Sequence, residues 1–291
     1  MTTPGKTVRI CHLYPRLLSV AGDRGNLFAI MQRCAWRGIR FSVTDADVGD
    51  VPDFTESDLI LVHGGQDREM TAAARDLAEK AGPLREAIEG NAVVLAVCAG
   101  YQLLGHYYAP SEGPRIEGID VLDVVTEAGP TRFIGHVAVD CDFGSGNRGQ
   151  LTGFENHSGR TRLGSGAEPL GRVLAGGGNN GEDGTEGARY REVYATYLHG
   201  PLLPKNPWLA DHLISRALEH RYSDIGPLEP LADQAEAQAH AASLRLARRP
   251  ARRWRAASVG GSRIRRRQLR APARARAKTR PANKETRWTS H

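Results

Sequence analysis

Residues 91–105, NAVVLAVCAGYQLLG, constrain the fold more than any other part of this chain. Ala92, Val93, Val94, Leu95, Ala96 and Val97 run without a polar break. Such a run reads as a strand buried on both faces, the situation of a strand inside a parallel sheet. Ala99 and Gly100 leave room for a sharp turn, and a helix is expected over 101–108. Cys98 therefore falls on a strand-to-helix corner, where a side chain can stand out at a sheet edge.

The same alternation runs through the first ~230 residues and predicts an α/β domain. VRICHLY (7–13), IRFSV (39–43), LILVH (59–63) and AVVLAV (92–97) read as strands. GNLFAIMQRCAWRG (25–38) and residues 68–89 read as helices between them. Short crossovers of this kind give a doubly wound, mostly parallel sheet with helices on both faces. β-rich pieces are expected around 119–125, 134–142 and 193–197, and a helix over about 205–221. The glycine-rich AGGGNNGEDGTEG (175–187) opens no helix and reads as a mobile loop.

Charge divides the chain at about residue 231. From Ala232 onward lie 17 of the 39 basic residues and 3 of the 33 acidic ones, leaving 22 basic against 30 acidic before it. The domain 1–231 is thus acidic, and 232–291 is an Arg/Ala/Pro-rich tail too poor in apolar residues to fold alone. It is either an arm for polyanions or membrane surfaces, an extension of no fixed role, or a stretch read in a shifted frame. Trp254 and Trp288 are too sparse for a stacking platform, which argues against nucleic acid as a partner. A cut near 231 is expected to leave a folded, active domain. The N-terminus MTTPGKTVRICHLYP has no apolar core of roughly 7–15 residues, so a cytoplasmic location is expected. The four cysteines form no C-x-x-C pair, so neither a zinc site nor a disulfide framework is expected.

Cys98 is the candidate nucleophile, because a thiol at such a corner is easily ionised. The Ala99 N–H at the same corner can face a developing oxyanion. Read from its position alone, Cys98 is equally a small buried hydrophobe. His199 ends the apolar strand of EVYATYLHGPLLP and can reach the same sheet edge. His63 and His157 are rivals with structural or substrate-positioning roles. In HGGQD (63–67), two glycines allow a backbone N–H to turn toward a ligand, with Gly65 as a second oxyanion donor. The chain contains no G-x-x-x-x-G-K-[ST], hence no P-loop.

The combination resembles the class I glutamine amidotransferases, whose nucleophile pattern G-x-C-x-G-x-Q appears here as Ala96-Val97-Cys98-Ala99-Gly100-Tyr101-Gln102. Where that class has a Glu two residues after the His, this chain has Pro201. The cobyric-acid-synthase-like branch shares this lack. Within that branch, LYPRLLSVAGDRGNL (13–27), HGGQDRE (63–69), CAGYQLLG (98–105), GFENHSGRT (153–161), GNNGEDGTEG (178–187) and YLHGPLLPKNPWLAD (197–211) resemble glutaminase subunits that serve peptidoglycan synthesis. The resemblance implies that Cys98 forms a thioester with L-glutamine, that His199 moves protons, and that Arg132 holds the α-carboxylate. It places Gly65, Ala99 and Gln102 at the substrate. It further implies no metal or cofactor in this subunit. ATP and metal would sit on a Mur-ligase-like synthetase partner in a heterodimer. That partner would amidate the D-glutamate α-carboxyl of lipid II at the inner face of the membrane. The acid that orients His199 is expected from the partner, which would make the lone subunit a poor glutaminase. Two other readings stand beside this one: a glutaminase for another ATP-dependent amidation such as corrin synthesis, and a catalytically silent scaffold.

Overall fold

The computed structural model describes residues 5–249, apart from 20, 21 and 145. In chain order the first half gives β1 (Thr7–Leu13), α1 (Arg24–Trp36), β2 (Arg40–Ala46), β3 (Leu59–Val62), α2 (Asp67–Glu89), β4 (Val93–Val97) and α3 (Ala99–Leu104). Then come β5 (Tyr107–Ala109), β6 (Ile116–Glu117), β7 (Val124–Asp142), β8 (Arg148–Leu163), β9 (Gly171–Ala175) and β10 (Thr185–Glu186). The chain closes with β11 (Ala188–Tyr190), β12 (Val193–Thr196), α4 (Leu202–Lys205), α5 (Pro207–Arg221) and α6 (Gln234–Ala247).

One six-stranded sheet has the order β11-β12-β4-β3-β1-β2. Its neighbours pair in parallel, except β11 on β12. The expected doubly wound sheet is therefore present, and the alternation of strand side chains explains its two helical layers. Ile60, Val62, Val94 and Ala96 pack with Met70, Leu77 and Leu84 of α2 and with α3. Leu59, Leu61, Val93 and Leu95 point the other way, onto Leu27 and Ile30 of α1 and Leu213 and Ile214 of α5. A second sheet runs β10-β9-β7-β5-β6, with the long β8 antiparallel to β7. The register of that hairpin shifts between Ala128 and Phe133.

Three expectations change. The helix after Cys98 stops at Leu104, because Tyr107–Ala109 pairs with β7 as β5. The glycine-rich stretch is not an open loop. Glu155 accepts the Gly177 and Gly178 N–H groups, and Asn179 and Asn180 bond across the turn. The tail does not begin at 232, since α6 lies against β7, β8 and α4. Its anchors are polar, which a count of bulky apolar residues misses. Asp233 accepts from Arg33, Ser243 meets Thr152 at 3.0 Å, and His240 meets the Lys205 carbonyl at 2.8 Å. From residue 250 onward the predicted tail lies outside the described residues.

Candidate active site

In a parallel sheet, the loops leaving the C-terminal strand ends gather on one edge. Here those ends deliver Asp23 after β1, Gly64 and Gly65 after β3, Cys98 after β4 and His199 after β12. Cys98 takes φ 53° and ψ −101°. This is left-handed backbone for a residue with a side chain, and it costs about 1–3 kcal/mol. The Cys98 N–H is held by the Thr196 carbonyl at 2.8 Å, so the strained corner is fixed from the neighbouring strand. Gly100 then passes so close to β3 that a methyl there would lie 2.4 Å from the Val62 carbonyl oxygen.

His199 is buried, and its backbone exchanges two hydrogen bonds with Phe154 of β8, at 2.9 and 3.0 Å. Gly153 beside it leaves no room for a side chain, since a methyl would meet Leu198 Cβ at 2.9 Å. The GFENHSGRT segment thus clamps the histidine from the second sheet. On the one hand the ring faces the Cys98 side chain, which favours its charged form. On the other, Nδ1 donates to both carboxylate oxygens of Asp23, at 3.0 and 3.2 Å. Burial alone would lower the His199 pKa. The bond to Asp23, the nearby Cys98 and the charges of both outweigh it and push the group up to about 10.

Asp23 corrects the expectation that the orienting acid comes from a partner. It is fully buried and also accepts the Gly64 N–H at 3.3 Å. The residues after it tie the start of α1 to the His199 loop. A methyl at Gly25 would lie 2.5 Å from Pro201 Cγ, and the Asn26 side chain accepts from the Leu203 N–H at 2.9 Å. Pro201 therefore serves as a packing surface for the segment that brings the acid. Gly64 is the centre of the group. A methyl there would stand 2.8 Å from His199 Cε1, 3.1 Å from Asp23 Oδ2 and 3.5 Å from Cys98 Cβ.

These groups open on a pocket of about 620 Å³ lined by Gly65, Cys98, Gln102, Arg132 and His199, with Asn156 and His157 among the rest. Five of the six expected site residues thus converge on one pocket. Ala99 is buried beside Cys98, and only its backbone can serve the site. As the first residue of a helix, its N–H has no intrahelical partner. Gln102 donates to the Tyr197 hydroxyl at 3.2 Å. Arg132 is exposed and donates to the Asn156 carbonyl and side-chain oxygens at 2.9 and 3.1 Å, which sets it at the rim. Gly65 must be small, because a methyl would lie 2.3 Å from Leu18 Cδ2.

The rival histidines are placed otherwise. His157 lines the pocket, stacks on Tyr197 with ring centres 3.8 Å apart, and gives Nδ1–H to the Gly159 carbonyl at 2.9 Å. Burial drives its pKa down to about 3, so it stays neutral and is no partner for a thiol proton. His63 is fully buried behind Gly64. Among the described residues no group of three or more His, Cys, Asp or Glu could hold a metal ion. No helix among them is long and apolar enough to cross a membrane.

A family model, the CobB/CobQ-like glutamine amidotransferase domain, matches residues 9–207. Subunit GatD of the glutamine-hydrolyzing lipid II isoglutaminyl synthase of Staphylococcus aureus (strain N315) is 38% identical over 230 residues, 79% of this chain and 92% of that one. The GatD subunit of Streptococcus pneumoniae (strain ATCC BAA-255 / R6) is 38% identical over 217 residues, covering 74% and 82%. A probable cobyric acid synthase of Methanosphaera stadtmanae is 32% identical over 117 residues, covering 37% of this chain and 23% of that protein.

Proposed function

This chain belongs to the CobB/CobQ-like glutamine amidotransferase family, and from that premise we propose that it is the glutaminase subunit of a lipid II-amidating synthase. The observation that carries the reading is the meeting of Cys98, His199 and Asp23 around Gly64, at a pocket with an arginine on its rim. Near-full coverage of the two GatD relatives favours this over corrin synthesis, where only a fraction of the relative is matched.

In this mechanism Arg132 pairs with the α-carboxylate of L-glutamine, a task that suits a guanidinium fork. The Cys98 thiolate attacks the side-chain carboxamide carbon. The Ala99 and Gly65 N–H groups face the oxyanion. His199, kept protonated by Asp23, gives its proton to the leaving amine, and ammonia departs. Water, deprotonated by His199, then opens the thioester to glutamate. A Mur-ligase-like partner carrying ATP and metal would use the ammonia on lipid II at the inner membrane face. Because the orienting acid lies on this chain, the isolated subunit is expected to form the thioester unaided.

A glutamine-mimicking electrophile tests this. Intact-mass analysis should find one label, on Cys98, blocked by excess glutamine and lost in Cys98→Ala. No label in the unaltered chain, even with the synthetase partner present, would leave the scaffold reading standing instead.

A further inference from the structure

Arg132 stands on a stretch of β7 that its sheet does not hold. The pairing of β7 with β8 runs from Val124↔Leu163 to Ala128↔Gly159 and resumes at Phe133↔His157. Residues 129–132 of β7 therefore stand opposite Ser158 alone. Such an excess leaves backbone groups without ladder partners and bends the strand. Pro130 has no N–H to offer, and Pro130, Thr131 and Arg132 are all exposed. Side chains must then decide where the stretch lies.

The side chain that reaches it is Arg160 of β8. Its Nη2 donates to the carbonyl of Thr131, the residue just before Arg132, at 2.7 Å. Its Nη1 donates to the Ser158 and Gly159 carbonyls at 3.0 and 3.2 Å. One planar fork thus joins the unpaired stretch of one strand to the pocket wall on the other. The Gly159 carbonyl also accepts from His157 Nδ1 at 2.9 Å, so the fork grips a point already fixed to the pocket. Its guanidinium carbon lies 3.5 Å from the centre of the Phe133 ring. That ring is walled in, since a methyl at Gly177 would lie 2.5 Å from it and one at Gly181 2.7 Å. Gly129 leaves space for the fork, because a methyl there would stand 2.8 Å from Arg160 Cζ. Arg132 lines the pocket, and among the described residues only its Nη1 is engaged, on Asn156. Its Nη2 and Nε are left for a ligand.

We propose that Arg160 is the positioning residue of the α-carboxylate grip, bracing 129–132 so that the Arg132 guanidinium meets the carboxylate of L-glutamine; this rests on the glutaminase reading above. Arg160 does not line the pocket and acts through Arg132. It fixes the Thr131 carbonyl, one peptide from Arg132, against the wall formed by Ser158 and Gly159. The α-carboxylate lies at the far end of glutamine from the carboxamide under attack. The grip therefore holds ground state and transition state alike, and loss of the brace shows in KM rather than in kcat. Lysine is no substitute, since one ammonium offers no planar fork to span two strands and stack on Phe133.

Steady-state hydrolysis of L-glutamine by the full chain tests the brace. In Arg160→Gln, KM should rise about tenfold, the low end for a weakened hydrogen bond to a charged group, with kcat kept. Arg160→Lys should behave as Arg160→Gln does. Arg132→Gln should raise KM further, and adding Arg160→Gln to it should change nothing more. Alkylation of Cys98 by iodoacetamide, a probe without a carboxylate, should run in Arg160→Gln at the rate of the unaltered chain. Gly129→Ala crowds the same guanidinium and should raise KM by a smaller factor; it carries the test should Arg160→Gln not fold. The brace is overturned by an unchanged KM in the folded variants, by full activity in Arg160→Lys, or by effects that add in the double variant. It is equally overturned if kcat and alkylation fall along with KM, the mark of a ribbon merely loosened. A raised KM in Arg132→Gln beside an unchanged one in Arg160→Gln removes the brace alone. An unchanged KM in Arg132→Gln removes the substrate role of Arg132, and the brace with it. No hydrolysis by the unaltered chain, even with the synthetase partner present, overturns the glutaminase reading itself.

Discussion

Asp23 and His199 stand 176 residues apart, yet their side chains share two short contacts in a site with no water-exposed atoms on the acid. Burial works against a charged imidazole, and the carboxylate reverses that. Asp23→Asn should therefore lower the His199 pKa from about 10 toward or below its ordinary 6.5. In the proposed mechanism, the proton donor for the leaving amine is lost once pH exceeds the His199 pKa. The alkaline limb of a kcat/KM profile should accordingly shift to lower pH, with kcat down by about 10²–10⁴. A variant whose limb stays in place would show that Asp23 does not hold the ring. Cys98 and His199 were legible in the sequence because each ends an apolar run at a predictable edge. Asp23 was not, because it sits in the loop before α1 and no local period marks it. Its one trace was the DRGN run ahead of a helix. The contact of His12 Nε2 with His63 Nδ1, at 3.1 Å, was equally hidden, since a lone histidine in an apolar strand reads as core until β1 and β3 are known to be neighbours.

At the scale of elements, the strands and helices of the parallel sheet follow from apolar periodicity, and their bounds agree with the expected ones to within a few residues. The second sheet was seen only as scattered β-rich pieces, because β7 and β8 are half exposed and their pairing is set by one another. α6 escaped notice because it buries Ser243 and Ala247, small residues that carry little hydrophobic signal. Ser243 and Ala247 are one turn apart and so share a face. That face rests on β8, while His240 bonds the last carbonyl of α4, the helix that follows His199. A chain ending at 231 should therefore melt lower than one ending at 249, and should lose glutaminase activity beyond what stability explains. Equal melting temperatures and equal kcat for the two would show α6 to be an ornament.

At the scale of the molecule, the two sheets meet at Glu186. This residue of β10 accepts from the Thr196 hydroxyl at 3.0 Å and from the Tyr197 N–H at 2.7 Å, at the end of β12. Burial raises its pKa to about 8 from an ordinary 4.5, despite those bonds. The folded protein thus keeps a proton that the unfolded chain gives up above about 4.5. The stability this group contributes is complete below that value and is lost as pH rises toward 8. Glu186→Gln should flatten the fall in melting temperature between pH 5 and pH 8, and an unchanged slope would exclude Glu186 as its source. The Phe154–His199 bonds have a mechanical consequence of their own. Cys98 rides on one sheet, and His199 is pinned to the other. Any load that tugs the long β7–β8 ribbon is felt directly as a change of reach between sulfur and imidazole, where a shift of about 1 Å can cost 10²-fold in rate. The distance between the two side chains is thereby set by how the β7–β8 ribbon seats on the parallel sheet.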